Sequence, residues 1–411
     1  MKSKNNRKDF IWNALGLTLN SLNSLFFLIV VRYINGMDTA GIFTYAFALC
    51  AFFYVIAFYF NRSFQVSDSK DKFSFNDYLS ARVVLSILSF ILIFAFAIIN
   101  QFSIFEISVI MLLMIFRLTE TIGDCFYGAI HKKSKLWQTG FSLSIKAVFG
   151  LLVFFITDLT TKNLLISISS LSLVNIIIFL VYDVRNYKNL YTEKIKFNFS
   201  HFKQILKSCF PIFLFQLLSL YLANCQKYIL PYFEPNEAQT ILGILIMPAT
   251  LLSLVGSYLI NPVLEPLTSH FKNRDLKNFV LLSKKVLSFL TILGILIVAI
   301  CYFLGVPFLN LLYSLNLDQY NLPFITIIIG SIFFAASLII SNFLTVLKEN
   351  VKQTYIYIIT VIVDTLISIL LIKNFGIPGA AYSFAISGGI ILALYILLFQ
   401  RTIKKIRNNH A

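Results

Sequence analysis

Arg117, Glu120 and Asp124 stand three and seven residues apart inside one long apolar run, a spacing that turns all three toward the same face of a helix. A charge at the centre of a bilayer costs about 2.5–3.5 kcal/mol on insertion scales, so such residues face a protein interior or water. Either they form an internal ion pair, or Arg117 meets substrate while Glu120 or Asp124 carries a proton or holds a coupling cation. Lys146 lies mid-run with no acid at helical-neighbour spacing, which makes it the strongest single candidate for binding an anion. Asp364 is the matching isolated acid of a later run and a candidate for the coupling ion; a Lys146–Asp364 pair is one arrangement that would satisfy both. Asn13, Gly16, Asn20, Asn23 and Ser24 recur every three or four residues ahead of Arg32, and Gln216, Ser219, Ala223, Gln226 and Lys227 repeat that pattern later. These polar faces either border a hydrated cavity, where Arg32 and Lys227 offer cations to an anionic substrate, or glue helices together while the two cations snorkel to headgroups. Arg82 and Glu265, at the ends of their runs and the latter between Pro262 and Pro266, read as interfacial.

The elements that must position these residues follow from composition. Of 411 residues 58% are hydrophobic and only 13% charged, against roughly 45–50% and 25% in a soluble globular chain, so lipid must solvate much of the surface. Apolar runs fall near 10–31, 40–60, 79–99, 105–128, 136–156, 163–182, 208–230, 239–260, 279–303, 321–346, 355–372 and 379–399. Their length and lack of strict alternation predict twelve transmembrane helices and an all-α fold. The first run follows a basic tail, is too long for a signal-peptide core and has no Ala-x-Ala site, so it is expected to be retained.

The net charge of +16 does not imply nucleic acid, because the basic residues sit in short connections between apolar runs. Most lie in alternate connections, together with both tails, whereas the opposite connections hold only Arg32, Lys162 and Lys373; both termini are therefore expected in the cytoplasm. The longest connection, Asp183 to Lys207, divides the spans six and six, giving lobes 1–190 and 191–411. Short correspondences support an internal repeat of parallel orientation: Arg32-Tyr33-Ile34 with Lys227-Tyr228-Ile229, Asn61 with Asn261, and Gln138-Thr139 with Gln353-Thr354.

Chemistry other than transport finds little support. Cys50, Cys125, Cys209, Cys225 and Cys301 lie in or beside apolar runs without a CxxC pair, which makes them core residues and no metal site. The four histidines fall in expected cytoplasmic connections, and the sequence contains no phosphate-binding loop, GxSxG elbow or HExxH helix. Neither an enzyme nor a cofactor is expected, and energy must come from a gradient or the membrane potential.

With these features the chain resembles the oligosaccharide flippases of bacterial polysaccharide biosynthesis, in the multidrug/oligosaccharidyl-lipid/polysaccharide exporter superfamily. The likeness rests on the basic tail, on Val31-Arg32-Tyr33-Ile34-Asn35-Gly36-Met37-Asp38-Thr39-Ala40-Gly41-Ile42-Phe43, which is similar to the family's Arg-x-Leu-Gly-x-x-x-Tyr-Gly turn with Asn35 at a usual glycine, and on Gly376-Ile377-Pro378-Gly379-Ala380-Ala381. It implies two pseudo-symmetric six-helix lobes around a central cavity open alternately to each side. It also implies an undecaprenyl-pyrophosphate-linked oligosaccharide as substrate, moved to the outer leaflet of the bacterial cell membrane. Asn20, Asn23 and Gln216 would then suit sugar hydroxyls, and Arg32, Arg117, Lys146 and Lys227 the pyrophosphate. A polysaccharide polymerase and a chain-length regulator are partners the resemblance implies. The rival within the superfamily is a cation-coupled multidrug exporter; a rival of another class is a membrane polymerase or acyltransferase, which the lack of an outer arginine cluster disfavours.

Overall fold

The computed structural model describes residues 2–68, 72–192, 194–260 and 263–408, so Asn261, Pro262 and His410 lie outside the described residues. Helices α1 (Lys2–Ala57), α2 (Arg62–Ser67), α3 (Phe75–Ile99), α4 (Ile104–Lys132), α5 (Leu136–Thr161), α6 (Leu164–Ile178) and α7 (Val184–Leu190) come first. They are followed by α8 (Phe202–Ile229), α9 (Asn236–Ile260), α10 (Leu264–Lys272), α11 (Leu276–Ile300), α12 (Val306–Tyr313), α13 (Asn321–Val346) and α14 (Asn350–Asn408).

Among the described residues eight helical stretches are long and apolar enough to cross a membrane. Two of these are far too long for one crossing: at about 1.5 Å per residue the 59 residues of α14 would reach about 90 Å if straight. Each instead contains a pivot. Gly36 in α1 has φ 89° and Gly376 in α14 has φ 58°, left-handed backbone that glycine adopts without a Cβ penalty. Each pivot separates two of the spans expected from sequence, and both lie in the stretches that carry the family resemblance. Counting each pivoted stretch twice gives ten membrane helices, and α4 and α9, 29 and 25 residues long, bring the fold to twelve in two lobes.

Local sequence sets the other boundaries. Ser74 with Asp77, and Ser103 with Glu106, form reciprocal capping boxes that start α3 and α4. Lys162 in left-handed backbone closes α5, and Asn163 caps α6 at once, leaving a tight turn. Burial follows the membrane. On α3 the exposed side chains include Ile87, Ile91, Phe94 and Ile98, while Ser86, Ser89, Ile93 and Ala97 are buried. Water exclusion cannot drive that arrangement in lipid; close packing and interhelical hydrogen bonds do.

Two compact units emerge, Met1–Leu220 and Tyr221–Ala411. The sequence puts the lobe boundary at 190/191, in the connection, whereas packing assigns that connection and the first part of α8 to the first unit. Tyr59 explains the difference, stacking on Phe213 at 4.4 Å and donating to the Leu206 carbonyl at 3.2 Å. Within the first unit an aromatic cluster joins α3, α4 and α7 through Phe75, Phe126 and Tyr187, and Phe27 of α1 packs on Phe154 of α5 at 4.9 Å. In the second unit α13 packs chiefly on α14, with Phe334 against Phe384 at 4.9 Å.

Candidate functional site

The first unit carries a charged interior contributed by α2, α3, α4, α5 and the wide turn between α6 and α7. Arg62, in the first turn of α2, donates from Nε and Nη2 to Asp124 Oδ1 at 2.9 and 2.6 Å. Arg82 of α3 lies 3.6 Å from the other oxygen of the same carboxylate. Its remaining donors reach the carbonyls of Ala57 and Phe60 at 3.1 and 2.8 Å and Cys125 Sγ at 3.3 Å. Arg82 is 0% exposed, so the interfacial position expected from sequence is wrong: a guanidinium with donors to spare replaces lipid headgroups by two carbonyls freed where α1 ends.

Lys146 of α5 is not the unpaired cation its sequence neighbourhood suggests. Its Nζ donates to Asp183 Oδ2 at 2.6 Å and to Tyr127 Oη at 2.9 Å, and it is only 7% exposed. The expected Lys146–Asp364 pair is therefore absent: Lys146 finds its acid on the wide turn Phe179–Asp183, which joins α6 to α7 with one residue more per turn and brings Asp183 inward. Tyr127 Oη also bonds Ser142 and Asp183, and Arg62 packs over the Tyr127 ring at 5.1 Å. One ring thus links the Arg82–Asp124–Arg62 group to Lys146–Asp183. Three cations here face two carboxylates, a surplus of one positive charge. Of the three, Arg62 is the one within reach of a ligand, with 22% of its side chain exposed.

The expected triad on α4 divides. Arg117 pairs with Glu120 at 2.8 Å and stacks over Phe47 at 4.3 Å, as i, i+3 spacing allows, but Asp124 is taken by the arginines of α2 and α3. Asn23 of α1 donates to the carbonyl of Ala147, beside Lys146, at 3.3 Å, a helix-to-helix contact. Asn20 and Arg32 are half-buried on α1, Arg32 lying 5.3 Å from the Tyr33 ring centre. A further buried acid escaped the sequence reading, which ended the span at 156: Asp158 is bound by Asn35 at 2.6 Å and Ser167 at 2.8 Å.

The second unit is built differently. Asp364 of α14 is fully buried, and its Oδ1 accepts from Ser387, from Ser368 at 3.1 Å and from Gln226 of α8 at 3.2 Å. Its Oδ2 has no hydrogen-bond partner, and among the described residues no lysine, arginine or histidine pairs with it. A carboxylate ringed by neutral donors and left with a free oxygen suits reversible binding of a proton or small cation. Next to Gln226, the half-buried Lys227 has no carboxylate within salt-bridge distance among the described residues; Gln216, also on α8, is half-buried. Among the described residues no group of three or more histidine, cysteine and acidic side chains could hold a metal ion.

A separate cavity of about 790 Å³ opens in the first unit among Asp9, Asp68, Tyr78, His131, Lys132 and Tyr191. Burial pushes the Asp68 carboxyl up, but donation from the Phe73 and Lys72 amides and the Tyr78 hydroxyl outweighs it and holds the group below the usual carboxylate range. Lys132 donates to the Asp68 carbonyl at 3.0 Å across the wall of this cavity.

The capsular polysaccharide biosynthesis protein CapF of Staphylococcus aureus is 24% identical over 403 residues, covering 96% of this chain and 99% of that protein. No family model matches the chain. Among solved structures, the lipid II flippase MurJ in an inward closed conformation superposes with a TM-score of 0.66 at 18% identity, over 98% of this chain and 90% of that one. An inward-facing multidrug resistance MATE family transporter of the MOP superfamily gives 0.65 at 13% identity over 100% and 96%, and the Vibrio cholerae MATE transporter VcmN in its bent form gives 0.62 at 13% over 98% of both chains. The chain is thus a multi-pass membrane protein with the twelve-helix, two-lobe fold that these transporters and flippases share.

Proposed function

We propose that this protein moves an undecaprenyl-pyrophosphate-linked oligosaccharide from the cytoplasmic to the outer leaflet of a bacterial cell membrane, by alternating access, for surface polysaccharide synthesis. The observation that carries the reading is the surplus cation of the first unit, with the partly exposed Arg62 at its open edge. Arg62 already binds one carboxylate oxygen through two donors, and a phosphate oxygen offers the same acceptor geometry with more charge. Asp124 need not be stranded in the exchange, because Arg82 stays beside it. Similarity to CapF supports a cargo in polysaccharide synthesis, and the fold shared with MurJ supports a lipid-linked one. The prenyl tail remains in lipid while the head group crosses, so the polar faces bearing Asn20 and Gln216 meet sugar hydroxyls, and Lys227 and Arg32 supply further positive charge. Arg117 and Lys146, each held by its own acid, act through that field rather than by direct contact. Asp364 takes the coupling proton or cation, while Glu120 and Asp124 are committed to arginine. Both termini face the cytoplasm, where a polymerase and a chain-length regulator are the expected neighbours.

The test is reconstitution of the purified protein in liposomes with a fluorescent undecaprenyl-pyrophosphate oligosaccharide, scoring its accessibility to an enzyme on the opposite face without ATP. Movement that falls at least tenfold in Arg62→Gln supports the reading. The buried Asp364 favours one second reading, a cation-coupled exporter: no lipid movement, but expulsion of a cationic dye along a sodium or proton gradient, would establish it instead.

A further inference from the structure

Residues 194–200, in the connection between α7 and α8, form a tethered, two-faced strip. From Lys194 to Ser200 basic or polar residues alternate with Ile195, Phe197 and Phe199, the period of an extended strand. Asn76, in the first turn of α3, grips the backbone at two points, donating to the Lys194 carbonyl at 3.2 Å and accepting from the Lys196 amide at 3.0 Å. Four residues further along α3, Ser80 Oγ accepts from the Asn198 amide at 2.7 Å. At the far end His201 Nδ1 lies 3.3 Å from Asp77 Oδ2 and packs edge-on to Phe73. Helix α3 rises about 6 Å between Asn76 and Ser80, so the strip runs along the beginning of a spanning helix, with Lys194 and Lys196 near its mouth and Phe199 about one turn deeper.

Among the described residues nothing covers the apolar side: Phe197 and Phe199 are 65% and 55% exposed, their rings parallel within 3° at 6.3 Å. Arg185, Lys188, Lys194, Lys196, Lys203 and Lys207 are all exposed on the strip and the helix ends beside it. Fixed aromatic rings at the depth where a span begins, with a basic rim above them, match the boundary between acyl chains and anionic headgroups. We propose that this strip is a preformed anchor for anionic phospholipid on the basic side of the membrane, Phe197 and Phe199 entering the acyl boundary and the lysines taking phosphate headgroups. Ordering by Asn76 and Ser80 means that no folding accompanies binding. The anchor serves whatever cargo the protein carries.

A full-length Cys301→Ser protein leaves its other native cysteines buried, so a polarity-sensitive dye can be placed on Phe197→Cys or, as the opposite-face control, on Ser200→Cys. In nanodiscs of phosphatidylcholine with phosphatidylglycerol, the dye at 197 should shift to the blue and be quenched by spin-labelled lipid, while that at 200 stays in water. High salt should reverse the effect, and Lys194→Gln with Lys196→Gln should lower the inserted fraction about tenfold. Water-like emission at 197 in every bilayer overturns the anchor and leaves the face to a soluble partner. Equal insertion in phosphatidylcholine alone, indifferent to salt and to the lysines, overturns the headgroup recognition.

Discussion

In the first unit Asp124 and Asp183 each receive a cation within 2.6 Å, whereas in the second Asp364 is held by two serines and a glutamine and keeps one oxygen unbonded. Apart from Asp158 of the first unit, which Asn35 and Ser167 hold, the two interiors treat their buried acids in opposite ways. An ion pair at that distance is fixed: neither partner can lose its charge without stranding the other in a medium of low dielectric. A carboxylate among neutral donors is a place where charge can arrive and leave. Positive surplus on one side and exchangeable negative charge on the other is a sensible division for a carrier that binds an anionic head group and is driven by a cation.

The comparison breaks most severely at Arg82. Arg82→Met leaves Asp124 to Arg62 alone and strips the Ala57 and Phe60 carbonyls of their charged donors, and should cost about 3–5 kcal/mol, because two buried acceptors are left unsatisfied. Thermal unfolding of the purified variant in detergent measures it; a melting curve like the parent's would show that the fully buried guanidinium holds nothing together.

Lys146→Ala comes next. It leaves Asp183, 1% exposed, with Tyr127 as its one side-chain donor among the described residues, so stability should fall by about 2–3 kcal/mol. Asp183→Asn in the same chain removes the stranded charge and should recover about half of that loss. A double-mutant cycle without coupling would sever Lys146 from Asp183 and restore the free mid-span cation that sequence alone suggests.

Why sequence suggests it is instructive. Spacing within one helix is legible, as Arg117 with Glu120 shows; the spans are legible too, because apolar length is local, and both glycine pivots fall between expected apolar runs. Pairing between helices is not. Asp183 lies at the edge of an apolar run, and only the wide turn at Phe179–Asp183 brings it inside. Arg62 looks like one more loop cation until the short α2, capped by Asn61, folds back against α4. Arg82 looks interfacial because it sits early in its run, yet the carbonyls that claim it belong to the end of the preceding span.

Arg62→Gln separates stability from function. Its side chain is partly in solvent and Asp124 keeps Arg82, so the fold should lose about 1 kcal/mol or less while lipid-linked oligosaccharide transport drops at least tenfold. Flipping assays on protein matched for folded fraction check this. Equal loss of stability and transport would reduce Arg62 to a structural partner of Asp124 and remove the main support for phosphate binding in the first unit.

The smallest change in stability is expected at Asp364. Asparagine keeps the acceptor oxygen for Gln226, Ser368 and Ser387 and removes a buried charge that no cation among the described residues pairs with, so unfolding should shift by less than about 1 kcal/mol. The effect should appear in coupling instead. An imposed sodium or proton gradient accelerates transport by the parent protein if Asp364 takes the driving ion, and Asp364→Asn should abolish that acceleration while slow movement down the substrate gradient persists. If the variant still responds to the gradient, the coupling charge lies elsewhere and the second unit's neutral pocket is only packing. If it loses stability as heavily as Arg82→Met, the two interiors are not opposites, and Asp364 has a buried cationic partner in the folded protein after all.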